Sequence, residues 1–157
     1  MRRAHALCVI CVLLLGAAPK ANIPYKVMRP NVSATQNGVR VIVRRVAISR
    51  REVAITMTLQ NLQAGFATFL PYNRTILTDE QDNVYRSIET RDWHLTDKRF
   101  FLGVRLAGNA EYTGTMRFIA PPGSNAHELH LEISPVLRED DGEAPFAVDL
   151  PAIVVAQ

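Results

Sequence analysis

The stretch Val39–Leu62, VRVIVRRVAISRREVAITMTLQNL, leaves a chain little choice but to build a sheet. In its second half Val53, Ile55, Met57 and Leu59 alternate with Ala54, Thr56, Thr58 and Gln60. Period two sends successive side chains to opposite faces of a strand, so one face here is apolar and buried. The run is rich in β-branched residues, which lose χ1 freedom in a helix and pack well on a pleated surface. The first half begins in the same rhythm with Val39, Val41 and Val43, then moves phase to Val46 and Ile48. A one-residue phase change suits a β-bulge near Arg44–Arg45, or a strand passing from one sheet to another. Ser49-Arg50-Arg51-Glu52 separates the halves, and a hairpin is the natural connection.

The chain opens differently. Arg2 and Arg3 precede a twelve-residue apolar run, Leu7–Ala18, that ends in small residues. This is the pattern of a secretory signal peptide, and it is shorter than the roughly 20 apolar residues a membrane span needs. Cleavage is expected between Gly16 and Asn22, after Ala18 or after Ala21; a retained membrane anchor is the alternative. Both cysteines, Cys8 and Cys11, lie in the apolar run. The processed chain would then hold no disulfide, thiol nucleophile or thiolate metal site. Removing Arg2, Arg3 and Lys20 takes the 18 basic residues to 15, equal to the 15 acids. The sequence pI of about 9.1 therefore owes its excess to the leader, and no nucleic-acid partner is expected.

Residues 22–37 contain Pro24 and Pro30 and read as an extended lead-in, with a short edge strand around Tyr25–Met28. Asn37-Gly38 is a turn signal immediately before the first main strand. Beyond Leu62, short strands are expected at Phe66–Leu70, Thr75–Thr78, Val84–Ile88, Phe100–Leu106, Tyr112–Phe118 and Leu129–Ile133. The last, Phe146–Val155, is interrupted by Pro151, which suits an edge or a bulge. No amphipathic helix is apparent. Seven to nine short strands with turns every 8–12 residues, roughly, indicate an all-β antiparallel sandwich or barrel. The organisation read from the sequence is a signal peptide at 1–21, a lead-in at 22–37 and one sandwich domain at 38–157. Its expected core unites Val53, Ile55, Met57, Leu59, Leu102, Val104, Met116, Phe118, Leu129, Leu131 and Ile133.

With the strands placed, a motif set stands out: Leu59-Gln60-Asn61; Leu77-x-Asp79-x-x-Asp82-Asn83-x-Tyr85; and Leu106-x-Gly108-x-x-Glu111-x-x-Gly114-x-Met116-x-Phe118. Over roughly Val39 to Val136 the chain resembles bacterial exported immunoglobulin-like β-sandwich domains of unknown function. The resemblance implies a sandwich of the seven-stranded type in an exported setting, with no catalytic residues to carry over.

The candidate sites are few. Asp92-Trp93-His94 lies on a long loop, where a lone tryptophan is either a binding anchor or a plug closing one end of the sandwich. His127 and His130 enter a strand, where positions i and i+3 face opposite ways, which argues against a shared metal. Asp79, Glu80, Asp82 and Asn83 gather oxygen donors in one turn without the spacing of a calcium loop, so a solvated turn is the simpler reading. Asp140, Asp141 and Glu143 form a second acidic loop with the same simpler reading. Asn31-Val32-Ser33 and Asn73-Arg74-Thr75 are glycosylation sequons only in a eukaryotic secretory pathway. There is no G-x-S-x-G and no phosphate-binding glycine loop. The expectation is a periplasmic or secreted protein without enzymatic activity, cofactor or metal. It would act on another protein or in envelope assembly, with Asp92, Trp93 and His94 as contacts. A periplasmic small-molecule or metal-binding protein is the alternative.

Overall fold

The alternation of Val53–Leu59 builds the central strand of the first of two sheets. In the computed structural model, which describes residues 26–69, 75–88, 104–139 and 144–155, the regular secondary structure is all strand. In chain order the strands are β1 (Lys26–Met28), β2 (Ser33–Gln36), β3 (Val39–Ile48), β4 (Glu52–Asn61), β5 (Ala67–Phe69) and β6 (Ile76–Asp79). They continue as β7 (Val84–Ile88), β8 (Val104–Leu106), β9 (Glu111–Ile119), β10 (Glu128–Arg138), β11 (Phe146–Asp149) and β12 (Ile153–Val154). The twelve strands of the described residues exceed the seven to nine expected for two reasons. The lead-in contributes β1 and β2, and the proline-interrupted last strand divides into β11 and β12.

Every pairing is antiparallel. One layer runs β3–β4–β9–β7, with β1 and β2 both laid along the outer edge of β3. The other centres on β10, with β6 and β5 laid along one edge, β8 beyond β5, and β11 and β12 along the opposite edge. β7 joins the layers: Val84 and Tyr85 pair with β6, and Arg86–Ile88 pair with β9.

The phase change in β3 is a bulge. Val43 lies opposite Met57 and Arg45 opposite Thr56, leaving Arg44 as the extra residue. Val39, Val41, Val43, Val46 and Ile48 thus all reach the core. Asn37 and Gly38 both have positive φ, 44° and 70°, as a two-residue type I′ turn requires, and they fold β2 back on β3. In β10 the ladder to β11 shifts between Ile133 and Val136, where Pro135 has no N–H to donate.

Residues of both layers share one apolar cluster, in which Val53, Ile55, Met57, Leu59, Val104, Met116, Phe118, Leu129, Leu131 and Ile133 are all buried. Leu102 lies outside the described residues, as do residues 1–21 of the signal-peptide reading.

Candidate functional site

At one end of the sandwich the two layers part into a cleft of ≈ 850 Å³. Its floor is the apolar end of the core: Ile48, Val53, Leu129 and Val155. Its rim carries Lys26 at the start of β1, Arg50 in the β3–β4 turn and His127 just before β10. Local chemistry fixes each wall. The Ser49 N–H and hydroxyl both donate to the Glu52 carbonyl, at 2.8 and 3.0 Å, and close the β3–β4 turn. Ala120 N–H donates to the Arg51 carbonyl, and Ser124 N–H to the Pro121 carbonyl. Gly123 has φ 78°, the positive value a type II turn needs at its third residue, after Pro122. Val155 N–H donates to the His127 carbonyl at 2.7 Å and ties the chain end to the rim.

Beneath the cleft is a buried polar hub. Asp79 is 2% exposed and accepts from four donors. The Gln81 and Asn83 N–H groups reach Oδ1 at 3.0 Å, Asn83 Nδ2 reaches Oδ2 at 3.0 Å, and the Tyr85 hydroxyl reaches Oδ2 at 3.3 Å. Burial works to raise the Asp79 pKa, but the bonds from Asn83, Gln81 and Tyr85 outweigh it and hold the carboxyl below its ordinary value. Tyr85 lines the cleft. Burial pushes its phenol pKa up, the Asp79 charge adds to that, and the nearby Ser124 works in the opposite direction. Glu80 accepts from the Glu128 and His127 N–H groups at 3.1 Å, and these bonds hold its carboxyl below its ordinary value. The acidic turn is therefore a hairpin lock: Asp79 braces its own turn and Glu80 braces the start of β10.

The opposite end has its own hub. Asn61, 0% exposed, donates from Nδ2 to the carbonyls of Gly65 (2.9 Å), Leu106 and Ala107 (both 3.2 Å). Its Oδ1 accepts from Gln63 N–H at 3.3 Å and Arg138 Nη1 at 3.2 Å. Gly108 sits against the same loop, and a Cβ there would lie 2.8 Å from the Gln63 carbonyl oxygen. Asn61, Asp79, Asn83, Tyr85 and Gly108 from the motif set thus lock loops and hairpins.

The two described histidines separate, His127 lying just before β10 rather than in it. His127 is on the cleft rim, whereas His130 is on the outer face of β10, 4.0 Å from Glu128. Asp92, Trp93 and His94 lie outside the described residues, as do Asp140, Asp141 and Glu143. Lys26 and Arg50 were not legible as site residues, because a lysine opening an edge strand and an arginine in a turn are ordinary solvated positions.

The chain is thus an all-β protein of sandwich-like build with an end cleft. No family model matches it, and no curated protein matches it in sequence. Among solved structures it is similar to the YjhA protein of Bacillus subtilis, with a TM-score of 0.48 and 15% identity, over 64% of this chain and 76% of that one.

Proposed function

We propose that this protein is an exported, non-enzymatic immunoglobulin-like domain that acts by binding another protein in the cell envelope, with the end cleft as a contact site. The observation that carries the reading is the cleft's composition. Lys26 and Arg50 make no ion pair among the described residues, and they stand over a floor of Ile48, Val53, Leu129 and Val155. A segment with an acidic group beside an aliphatic side chain fits that arrangement. Asp79 and Glu80, bonded to the cleft-lining Tyr85 and His127, are committed to the β6–β7 turn and the start of β10, so they are spent on architecture. Asp92, Trp93 and His94 are further proposed contacts.

The test is capture of partners from native envelope with wild type, Lys26→Glu/Arg50→Glu and Trp93→Ala. The expected result is loss of the partner in the double variant at unchanged melting temperature. Retention by all three would end the reading. The cleft volume also falls within the range of about 300–1,000 Å³ typical of small-molecule sites, which favours an anionic small ligand as the second reading. Native mass spectrometry of protein purified from its source decides that case by showing, or failing to show, a bound mass. Export predicts a mature N-terminus between Ala17 and Asn22 by N-terminal sequencing. An intact Met1 in the membrane fraction would count against it.

A further inference from the structure

The two outer faces of the sandwich carry opposite charge. On the first layer the outward positions of β3, β7 and β9 include Arg40, Arg44, Arg45, Arg86 and Arg117, all exposed. The bulge is responsible for the density. Arg44 reaches Thr58 Oγ1 at 3.2 Å and Arg45 lies opposite Thr56, so two consecutive arginines occupy one face. Among the described residues two acids share that face, and both are engaged: Glu52 with Arg117 at 3.5 Å, and Glu111 with Gln60 at 2.9 Å. Arg40, Arg45 and Arg86 have no carboxylate partner among the described residues.

On the second layer the outward positions of β10 and β11 include Glu128, His130, Glu132 and Asp149. Glu132 and Asp149 are direct cross-strand partners, a like-charge pairing that destabilises a sheet. Arg105, the cation at the edge of this layer, is already bound by Glu139 at 2.6 Å. Val84 and Val154 stand at the margins of this face, each 64% exposed.

We infer that this chain associates with a second copy of itself, the arginine face of one against the glutamate face of the next. The inference rests on the reading of the protein as an interaction domain and names one partner for it. The charge spacing carries the argument. Arg40 and Arg45 lie opposite Gln60 and Thr56, four ladder positions apart, and Glu128 and Glu132 are also four strand positions apart. At ~3.3 Å per residue both spans are about 13 Å, so the two pairs align when the facing strands run near parallel or antiparallel. Each face alone holds like charges together at a cost, and stacking relieves both costs at once. The contact joins unlike faces, so it generates a ring or an open chain of copies.

The experiment is sedimentation velocity on the purified processed chain. Association rising with concentration is expected at ~0.01 M salt, where the Debye length is ~30 Å, and reversal to monomer at ~1 M, where it is ~3 Å. Arg40→Glu/Arg45→Glu makes both faces acidic, and Glu128→Lys/Glu132→Lys makes both basic. Each should be monomeric alone, and an equimolar mixture should regain the complex. The milder Arg45→Gln and Glu132→Gln should each weaken association roughly tenfold, which covers failure of a double variant to fold. A monomer at low salt, or association that survives both reversals, overturns the inference. Absent self-association with retained envelope capture overturns the inference alone. Loss of envelope capture with intact self-association restricts the broader reading and leaves the stacking in place.

Discussion

Asp79 shows how one side chain can serve as a piece of architecture. Its carboxylate takes four donors in a site closed to water, and hydrogen bonds to a charged acceptor contribute about 1.5–3 kcal/mol each to stability. Asp79→Asn replaces one oxygen by a group that cannot accept from Asn83. The expected loss at pH 7 is about 2 kcal/mol, read by urea denaturation. The pH dependence follows from the depressed pKa. Below-ordinary titration in the folded state means that the stabilisation is fully present above the unfolded value of about 3.8 and is lost as pH falls through the folded value. Asp79→Asn should therefore have a flatter stability profile below pH 3.8 than wild type. An equally steep acid limb would remove Asp79 from the role. At the other end, Gly108→Ala pushes a methyl group against the Gln63–Ala64 backbone, at 2.8 and 2.9 Å. It should cost about 1–3 kcal/mol, and a melting temperature equal to wild type would refute the close approach.

At the scale of elements, β3 and β4 make contrasting predictions. Arg44 is the surplus residue of the bulge, so deleting it leaves Val43 and Arg45 opposite Met57 and Thr56 as before. The variant should fold, with a stability change of about 1 kcal/mol or less, and should self-associate more weakly. Deleting Thr56 instead shifts the phase of β4 and turns Met57 and Leu59 toward solvent; circular dichroism should show an unfolded chain. The strands with alternating faces were legible in the sequence, and so were the Asn37-Gly38 turn and the β3 phase change. β2 was not, because Ser33-Ala34-Thr35-Gln36 carries no apolar alternation. It is a strand because the turn after it returns the chain onto β3, whose edge amides need partners. The roles of Asn61 and Gly108 were equally hidden, since each depends on loops that are distant in sequence and adjacent in space.

For the whole molecule the shared core is the governing fact. Both layers drain their apolar faces into one cluster, so neither should persist without the other. Thermal unfolding should be one transition, coincident by far-UV circular dichroism and by amide-proton NMR; two resolved transitions would mean the layers are separate units. Leu59, fully buried in that cluster, should cost about 2–5 kcal/mol on replacement by alanine. The sequence by itself determined the inward faces of β4, β9 and β10, because period-two alternation is a local property that any antiparallel sheet must satisfy. It also determined the phase change in β3, which the ladder to β4 resolves as a bulge rather than a passage between sheets. Only the tertiary structure decided where the charges went. Residues 22–157, balanced at 15 basic and 15 acidic residues, read as electrically unremarkable, yet strand order collects arginines from β3, β7 and β9 on one face and acids from β10 and β11 on the other. The same holds for the cleft, whose Lys26, Arg50 and His127 come from three distant segments. Side-chain facing is set by neighbours along the chain, whereas a surface is assembled from neighbours across it.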